Sequence, residues 1–294
     1  MELLERLLDG VGIRTADIVD TERISGLTNT NFRVRTHDDE VIVRIASAER
    51  ACAHGMSREA EAQILTSAEA AGLGAEVLLY ELPDGHLVTR KLAAATYDLA
   101  PERFRDSDVF TSLIERVKCI HALPKVDHRF NPYAKIEAVA GIVEREGLWL
   151  PNDFTRLLEK MAQIKNRWIP LDPALVAPCH NDLFSVNIVQ TSPLRFIDWE
   201  CAGVGDIFFD LATLLVATDD VHPLGIEHRR MVLDVYFGCS DETLLAHLDD
   251  MVFMVRLHAG VWGIIQQMLR VPEPNGFTYT EYTKYMLDQL IGEL

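Results

Sequence analysis

The stretch Pro178–Glu200, PCHNDLFSVNIVQTSPLRFIDWE, decides how the rest of the chain is read. It sets His180, Asp182, Asn187 and Asp198 within 19 residues. Asp182 and Asn187 stand five apart; eleven residues after Asn187, the apolar pair Phe196-Ile197 delivers Asp198, followed by Trp199-Glu200. Phosphoryl transfer needs one group to orient and deprotonate an acceptor hydroxyl, and oxygen ligands to hold magnesium against the phosphates. This segment supplies both. Taken singly, an Asp or Asn near a strand end is more often a turn or capping residue. Here His-x-Asp, the five-residue step and the apolar run before Asp198 coincide in a context of loop and short strand, which favours the chemical reading.

The step from Asp182 to Asn187 equals that between the catalytic Asp and Asn of the H-R-D-x-x-x-x-N loop of protein kinases. Asp198 stands where D-F-G places its magnesium-binding Asp. Upstream, Ser25-Gly26-Leu27-Thr28-Asn29-Thr30-Asn31 is small and polar between strand-like residues. It suits a loop folded over phosphates, with Gly26, Thr28, Asn29 and Asn31 offering backbone N–H, hydroxyl or amide donors, although it lacks G-x-G-x-x-G and alone reads as a turn. Arg44 is the one cation of the apolar strand Val41-Ile42-Val43-Arg44-Ile45, the place of the phosphate-contacting Lys in V-A-I-K. Glu59, early in the next helix, is its expected ion-pair partner. Glu61, about 200° further around that helix, is the second choice.

Composition bounds the partners. The 294 residues suffice for one large domain or two lobes, and 48% hydrophobic with 25% charged residues is ordinary for a globular chain. A net charge of −17 argues against nucleic acid and against an anionic membrane surface, and favours a cationic small molecule weakly. Cys52, Cys119, Cys179, Cys201 and Cys239 form no CxxC pair, which fits a reducing compartment and neither disulfides nor zinc. The acidic amphipathic start is no signal peptide, and no apolar run reaches the ~20 residues that span a bilayer. The expected location is cytoplasmic.

Along the chain, Leu3, Leu4, Leu7 and Leu8 predict a short helix that Gly10 ends. Strands are expected over Ile24–Thr36 and Glu40–Ile45, a helix over Arg58–Ala71 capped by Ser57, and a hairpin of Val77–Glu81 and His86–Lys91 around Pro83-Asp84-Gly85. After Leu92 the helical period dominates: Val109 to Ile120, Ile136–Glu146, Phe154–Trp168, then Phe209–Val216, Arg229–Phe237, Glu242–Leu269 and Thr280–Ile291. The reading is an α+β, two-lobed protein-kinase-like fold. Residues 1–92 form a β-rich nucleotide-binding lobe, and residues 93–294 a mainly helical lobe for catalysis and acceptor binding.

These motifs together resemble the choline/ethanolamine kinases, within the wider aminoglycoside phosphotransferase group: Gly26-Leu27-Thr28-Asn29-Thr30-Asn31-Phe32, Val43-Arg44-Ile45, Arg58-Glu59-Ala60-Glu61, Cys179-His180-Asn181-Asp182 with Asn187, and Ile197-Asp198-Trp199-Glu200. The resemblance runs from about residue 20 to the C-terminus and implies ATP and magnesium, with transfer to an amino alcohol, choline or ethanolamine first. It implies Asp182 as catalytic base, Asn187 and Asp198 as magnesium ligands, Arg44 on phosphate, His180 as a brace, and Asp210 as the helix-start residue that ties down the catalytic loop. Thr89 to Lys91 and Leu92 fall where the family binds adenine. Trp262, Tyr279 and Tyr282, in Val261-Trp262-Gly263 and Phe277-Thr278-Tyr279-Thr280-Glu281-Tyr282, match acceptor-pocket aromatics, which suit a cationic ligand. Asp182 and Glu200 are expected to add negative potential on the side of that pocket facing ATP. Ala259 and Ala217 stand where eukaryotic members carry a Trp and often a Glu, thinning that cage. The alternatives are a phosphotransferase for another alcohol (an aminoglycoside, thiamine or a sugar-like metabolite) and a nucleotide-binding pseudokinase; acceptor-dependent ATP turnover separates them. Oligomeric state is not legible.

Overall fold

Val34, Val41, Val43 and Val88 share one buried face of a five-stranded antiparallel sheet, covered by Leu4, Leu7 and Leu8. The computed structural model describes residues 2–24, 26–97, 106–146, 150–219, 226–273, 278–292 and 294. The leucines come from α1 (Glu2–Gly10), nine residues long and so too short to persist alone. Burying each leucine contributes about 1.5–3 kcal/mol, which is what docks the helix. The sheet contains β1 (Ile18–Ile24), β2 (Thr30–Thr36) and β3 (Glu40–Ile45). Helices α2 (Ala48–His54) and α3 (Arg58–Ala70) intervene before β4 (Val77–Glu81) and β5 (His86–Arg90). The strand order is β1-β2-β3-β5-β4.

Two parts of this lobe differ from the sequence expectation. The strand expected over Ile24–Thr36 is broken, because β1 ends at Ile24 and β2 begins at Thr30. β1 itself escapes the apolar pattern: as an edge strand its central residues face solvent, so Asp20, Glu22 and Arg23 are tolerated. Helix α2 was not expected either. It is a single short element that buries only Ala51 and His54, held by Ser47 accepting the Arg50 N–H and by Gly55 at a φ of 67°. The β4–β5 hairpin and the Ser57 cap of α3 match expectation.

The second lobe is mainly helical. It contains α4 (Ser107–His121), α5 (Pro132–Glu146) and α6 (Phe154–Trp168), then β6 (Val176–Cys179), β7 (Ile188–Val189), β8 (Arg195–Phe196) and β9 (Gly203–Asp206). There follow α7 (Ile207–Asp219), α8 (Ile226–Phe237), α9 (Glu242–Met268) and α10 (Tyr279–Ile291). All seven helical segments read from the sequence are present, with ends shifted by a few residues. The 27 residues of α9 span roughly 40 Å. Most are buried, because α5, α6, α7, α8 and α10 all pack around this helix. A Cβ at Gly260 would come within 2.6 Å of Leu287, so glycine here lets α10 approach α9 closely. Among the described residues no helix is long and apolar enough to cross a membrane. All five cysteines are free thiols.

Candidate active site

Two short two-stranded ladders carry the decisive segment. β6 pairs with β9, and β7 with β8 in the register Ile188↔Phe196. The Ile197 N–H donates to the Asn187 carbonyl at 3.0 Å, so the hairpin brings Asn187 beside the Ile197-Asp198 step. Asn181 and Asp198 both hold a φ of 62°, a left-handed conformation that Asn and Asp accept more readily than other side chains. Such residues cluster where a structure aims side chains for function.

The loop from His180 to Asn187 is clamped from below by Asp210, which is fully buried near the start of α7. Its two oxygens accept the backbone N–H groups of His180 (2.8 Å) and Asn181 (2.7 Å). His121 Nε2 lies 3.1 Å from the same carboxylate, and its Nδ1 is 2.7 Å from the Tyr236 hydroxyl. Tyr236, His121 and Asp210 thus form a hydrogen-bonded strut, and the nearby Cys179 thiol, pushed well up by burial, donates to the Ala177 carbonyl at 3.4 Å. His180 donates Nε2–H to the Ile197 carbonyl at 3.0 Å, and burial pushes its pKa down to about 4, so it braces the loop as a neutral ring. Both bracing roles match the sequence expectation.

Asp182 accepts from Asn187 Nδ2 at 2.8 Å, and the same amide donates to the Asp182 carbonyl at 2.9 Å. Asn187 Oδ1 accepts no protein hydrogen bond among the described residues. Burial, with the Glu200 carboxylate second, pushes the Asp182 carboxyl up to about 7. Asp198 is raised well above the carboxylate range by the same two causes in the same order. Its side chain nevertheless keeps 42% exposure. A carboxylate on the floor of a cleft reconciles these facts: water reaches it, yet the surrounding protein excludes bulk solvent. Asp182, Asp198 and Glu200 thus gather three carboxylates, with Arg58 on Glu200 and Arg44 3.9 Å from Asp198, and offer oxygen ligands of the kind a hard divalent ion takes.

The side facing the five-stranded sheet is built around Glu61, and this corrects the expected pairing. Arg44 Nη1 lies 2.6 Å from Glu61 Oε1, whereas Glu59 is exposed and, among the described residues, accepts from Ser57 at 3.2 Å and pairs with no cation. The helix phase was misjudged by two residues: with Ser57 as cap, Glu59 falls on the outer face of α3 and Glu61 on the inner. Arg58 bridges Glu61 (2.8 Å) and Glu200 (3.2 Å), and Tyr80 donates to Glu61 at 2.7 Å. Burial favours a protonated Glu61, but Arg44 and Arg58 outweigh it and hold the carboxyl below the usual range. Glu61→Ala is therefore expected to cost about 3–5 kcal/mol, since it strands buried guanidinium groups. Glu59→Ala should stay within about 0.5 kcal/mol. Urea unfolding of the two variants tests the assignment.

Asn29 is held by this network as well. Its amide donates to Glu200 at 2.8 Å, tying the loop before β2 to the other lobe. Arg50 fixes the same loop by donating to the Thr28 carbonyl at 2.7 Å. A Cβ at Gly26 would stand 2.5 Å from the Asn31 amide, so the turn requires glycine, and the β2–β3 register sets Asn31 opposite Arg44. Ser25 lies outside the described residues. Glu200, expected toward the acceptor, is only 4% exposed and is engaged by Arg58 and Asn29. Sequence reasoning missed Arg58 and Tyr80 as members; the Arg three residues before Glu61 was the available signal. Thr89 sits in the sheet opposite Ile42, and Lys91 pairs with Glu40 at 3.3 Å. Lys91 and Leu92 line a cavity of about 510 Å³ at the inter-lobe connection, together with Gln190 and Arg195.

On the far side, Trp262 meets Tyr279 and Tyr282 edge-on, with centroids 5.7 and 5.6 Å apart, so the three expected aromatics do converge. His54 of α2 stacks on Trp262 at 6.4 Å and was not anticipated. Phe277 and the side chain of Ala217 lie outside the described residues, and Ala259 is buried.

Comparison with known proteins agrees with this geometry. The chain is similar to the protein LicA of Haemophilus influenzae, 23% identical over 278 residues that cover 92% of this chain and 79% of that protein. A thiamine kinase of Salmonella paratyphi B is 37% identical over 84 residues, 28% of each chain. Among solved structures, the choline kinase LicA from Streptococcus pneumoniae superposes with a TM-score of 0.78 at 17% identity, covering 99% of this chain and 98% of that one. The model of the phosphotransferase enzyme family (APH) matches residues 20–246, most of the chain, and the chain belongs to that family.

Proposed function

We propose that this phosphotransferase moves the γ-phosphoryl group of ATP, with magnesium, onto the hydroxyl of a small amino alcohol. The carrying observation is the hydrogen-bonded pair Asp182–Asn187 beside Asp198, on a loop fixed by Asp210. Asn187 Oδ1 and the Asp198 carboxylate would hold the metal, which fits a pair of carboxyls, Asp182 and Asp198, that burial and the nearby Glu200 carboxylate raise. When bound, magnesium offsets phosphate charge and orients the transferring group. Asp182 accepts the hydroxyl proton and aims the oxygen for in-line attack. Arg44, steadied by Glu61, extends toward the phosphates, 3.9 Å from Asp198. In this reading residues 1–92 hold nucleotide, with adenine against the backbone of Thr89–Leu92, and residues 93–294 hold the acceptor.

The similar proteins include a choline kinase and a thiamine kinase, which suggests choline and thiamine as acceptors to test. The aromatic group of Trp262, Tyr279 and Tyr282 supports a cationic amine, which gains about 0.5–2 kcal/mol against an indole face. The test uses ATP labelled in its γ-phosphoryl group with a panel of ethanolamine, choline, thiamine and glycerol. Label is expected in a phosphate monoester of an amino alcohol, and only with magnesium. Trp262→Ala should raise the Michaelis constant for that amine several-fold. Nucleotide binding without transfer to any alcohol would instead favour a pseudokinase.

A further inference from the structure

The loop between β1 and β2, residues 26–29, meets the second lobe through one side chain. Asn29 is 5% exposed, and both ends of its amide are engaged. Nδ2 donates to Glu200 Oε2 at 2.8 Å, and Oδ1 accepts the Ser47 N–H at 3.4 Å. An ionised carboxylate can only accept, which fixes the orientation of the amide. Ser47 caps α2, and Arg50 of the same helix donates to the Thr28 carbonyl at 2.7 Å. Among the described residues no other hydrogen bond or ion pair joins this loop to the second lobe.

Glu200 gives that bond its reach. The same oxygen, Oε2, accepts from Arg58 at 3.2 Å, Arg58 holds Glu61, and Glu61 holds Arg44. Just past the other end of α3, the Phe196 N–H donates to the Leu73 carbonyl at 2.7 Å. Helix α3 is therefore anchored to the second lobe at both ends, whereas the loop depends on one hydrogen bond, to a side chain two residues beyond Asp198. Ordering a loop of small residues at the moment a ligand binds lowers affinity, and a contact that orders it beforehand removes part of that cost. The Asn29 amide, buried and doubly engaged, has no donor left for a phosphate.

We propose that Asn29 is a positioning residue: through Glu200 it sets loop 26–29 over the place of the nucleotide phosphates before nucleotide arrives, instead of contacting a phosphate itself. The inference rests on the phosphotransfer reading and gives the Asn29 amide a role other than the phosphate donor expected from sequence.

Asn29→Ala, Glu200→Ala and the two combined test it in two readouts. The first needs no nucleotide. Thermolysin cuts ahead of Leu27, which is 36% exposed, and mass spectrometry follows the rate at that bond. Each single variant should be cut there severalfold faster than the native protein, and the double variant no faster than the faster single one. The second readout is the Michaelis constant for magnesium–ATP with calorimetric ATP binding. Asn29→Ala should weaken both roughly tenfold, the scale of one lost hydrogen bond to a charged group, and leave the Michaelis constant for the alcohol nearly unchanged. Adding Asn29→Ala to Glu200→Ala should weaken ATP binding no further. Thermal unfolding checks each fold, and Glu200→Asp, which keeps the charge but withdraws it by one methylene, replaces a Glu200→Ala protein that does not fold. Unchanged cutting in Asn29→Ala, or losses that multiply in the double variant, would overturn the inference. Weaker ATP binding with unchanged cutting would assign Asn29 to direct phosphate contact and overturn it too. Absence of ATP binding in the native protein would remove both readings. Faster cutting and weaker ATP binding in a protein that phosphorylates no alcohol would uphold this inference and remove the phosphotransfer reading alone.

Discussion

Asp182→Asn is expected to lower turnover roughly a hundredfold or more, the scale of losing a positioned general base, while the fold persists. The amide keeps the shape of the carboxylate and a hydrogen bond to Asn187, but it cannot take the hydroxyl proton. Two pH readouts accompany the loss. In the native protein the base must be ionised, so kcat/KM should rise with pH through about 7, where burial and Glu200 place the Asp182 carboxyl. For stability the sign runs the other way. The folded value lies above the ordinary 3.8, so the folded state holds this proton more tightly than the unfolded chain. Stability is therefore lost as pH rises from about 3.8 toward about 7, and the penalty is complete above that window. Asp182→Asn should accordingly unfold at a higher temperature than the native protein at pH 8, with the gap closing toward pH 4. Near-native turnover in the variant would remove Asp182 from the chemistry.

The second large effect falls on Asp198. Asp198→Ala should depress magnesium-dependent turnover by roughly a thousandfold, comparable to deleting a preorganised electrostatic group, and added magnesium should not restore it. Because Asp198 sits at a φ of 62°, alanine also brings backbone strain of the order of 1–2 kcal/mol. Asp198→Asn separates the two effects: asparagine accepts the left-handed conformation and keeps an oxygen but loses the charge. An Asn variant nearly as inactive as the Ala variant assigns the loss to the charge and not to the backbone. Titration of each variant with magnesium, with nucleotide binding measured alongside, distinguishes a lost metal from a lost nucleotide.

What could be read from the sequence follows how local each signal is. The loop from His180 to Glu200 was legible because its chemistry and its strand-loop-strand context lie within one short segment. The helices of the second lobe were legible from apolar period, as in α6, whose ends match at Phe154 and Trp168. β1 was not, since an edge strand facing water has no apolar alternation to display. The Arg44 partner was misplaced because Glu59 and Glu61 differ only in helix phase, which the packing of α3 on the sheet decides. Tyr80, His54 and the contact of Arg58 with Glu200 were invisible for another reason. Each acts through residues distant in sequence: Arg58 and Glu200 meet across 142 positions, and Tyr80 and Glu61 across 19. Only the closed fold brings such groups into one site.

The most direct measurement is a crystal structure of the protein with magnesium and a non-hydrolysable ATP analogue. The account predicts magnesium bound to the Asp198 carboxylate and Asn187 Oδ1, Arg44 on the nucleotide phosphates while still paired with Glu61, and Asp182 facing the γ-phosphoryl across the space for an alcohol. A nucleotide seated elsewhere, or a metal with neither Asn187 nor Asp198 in its coordination shell, would contradict it.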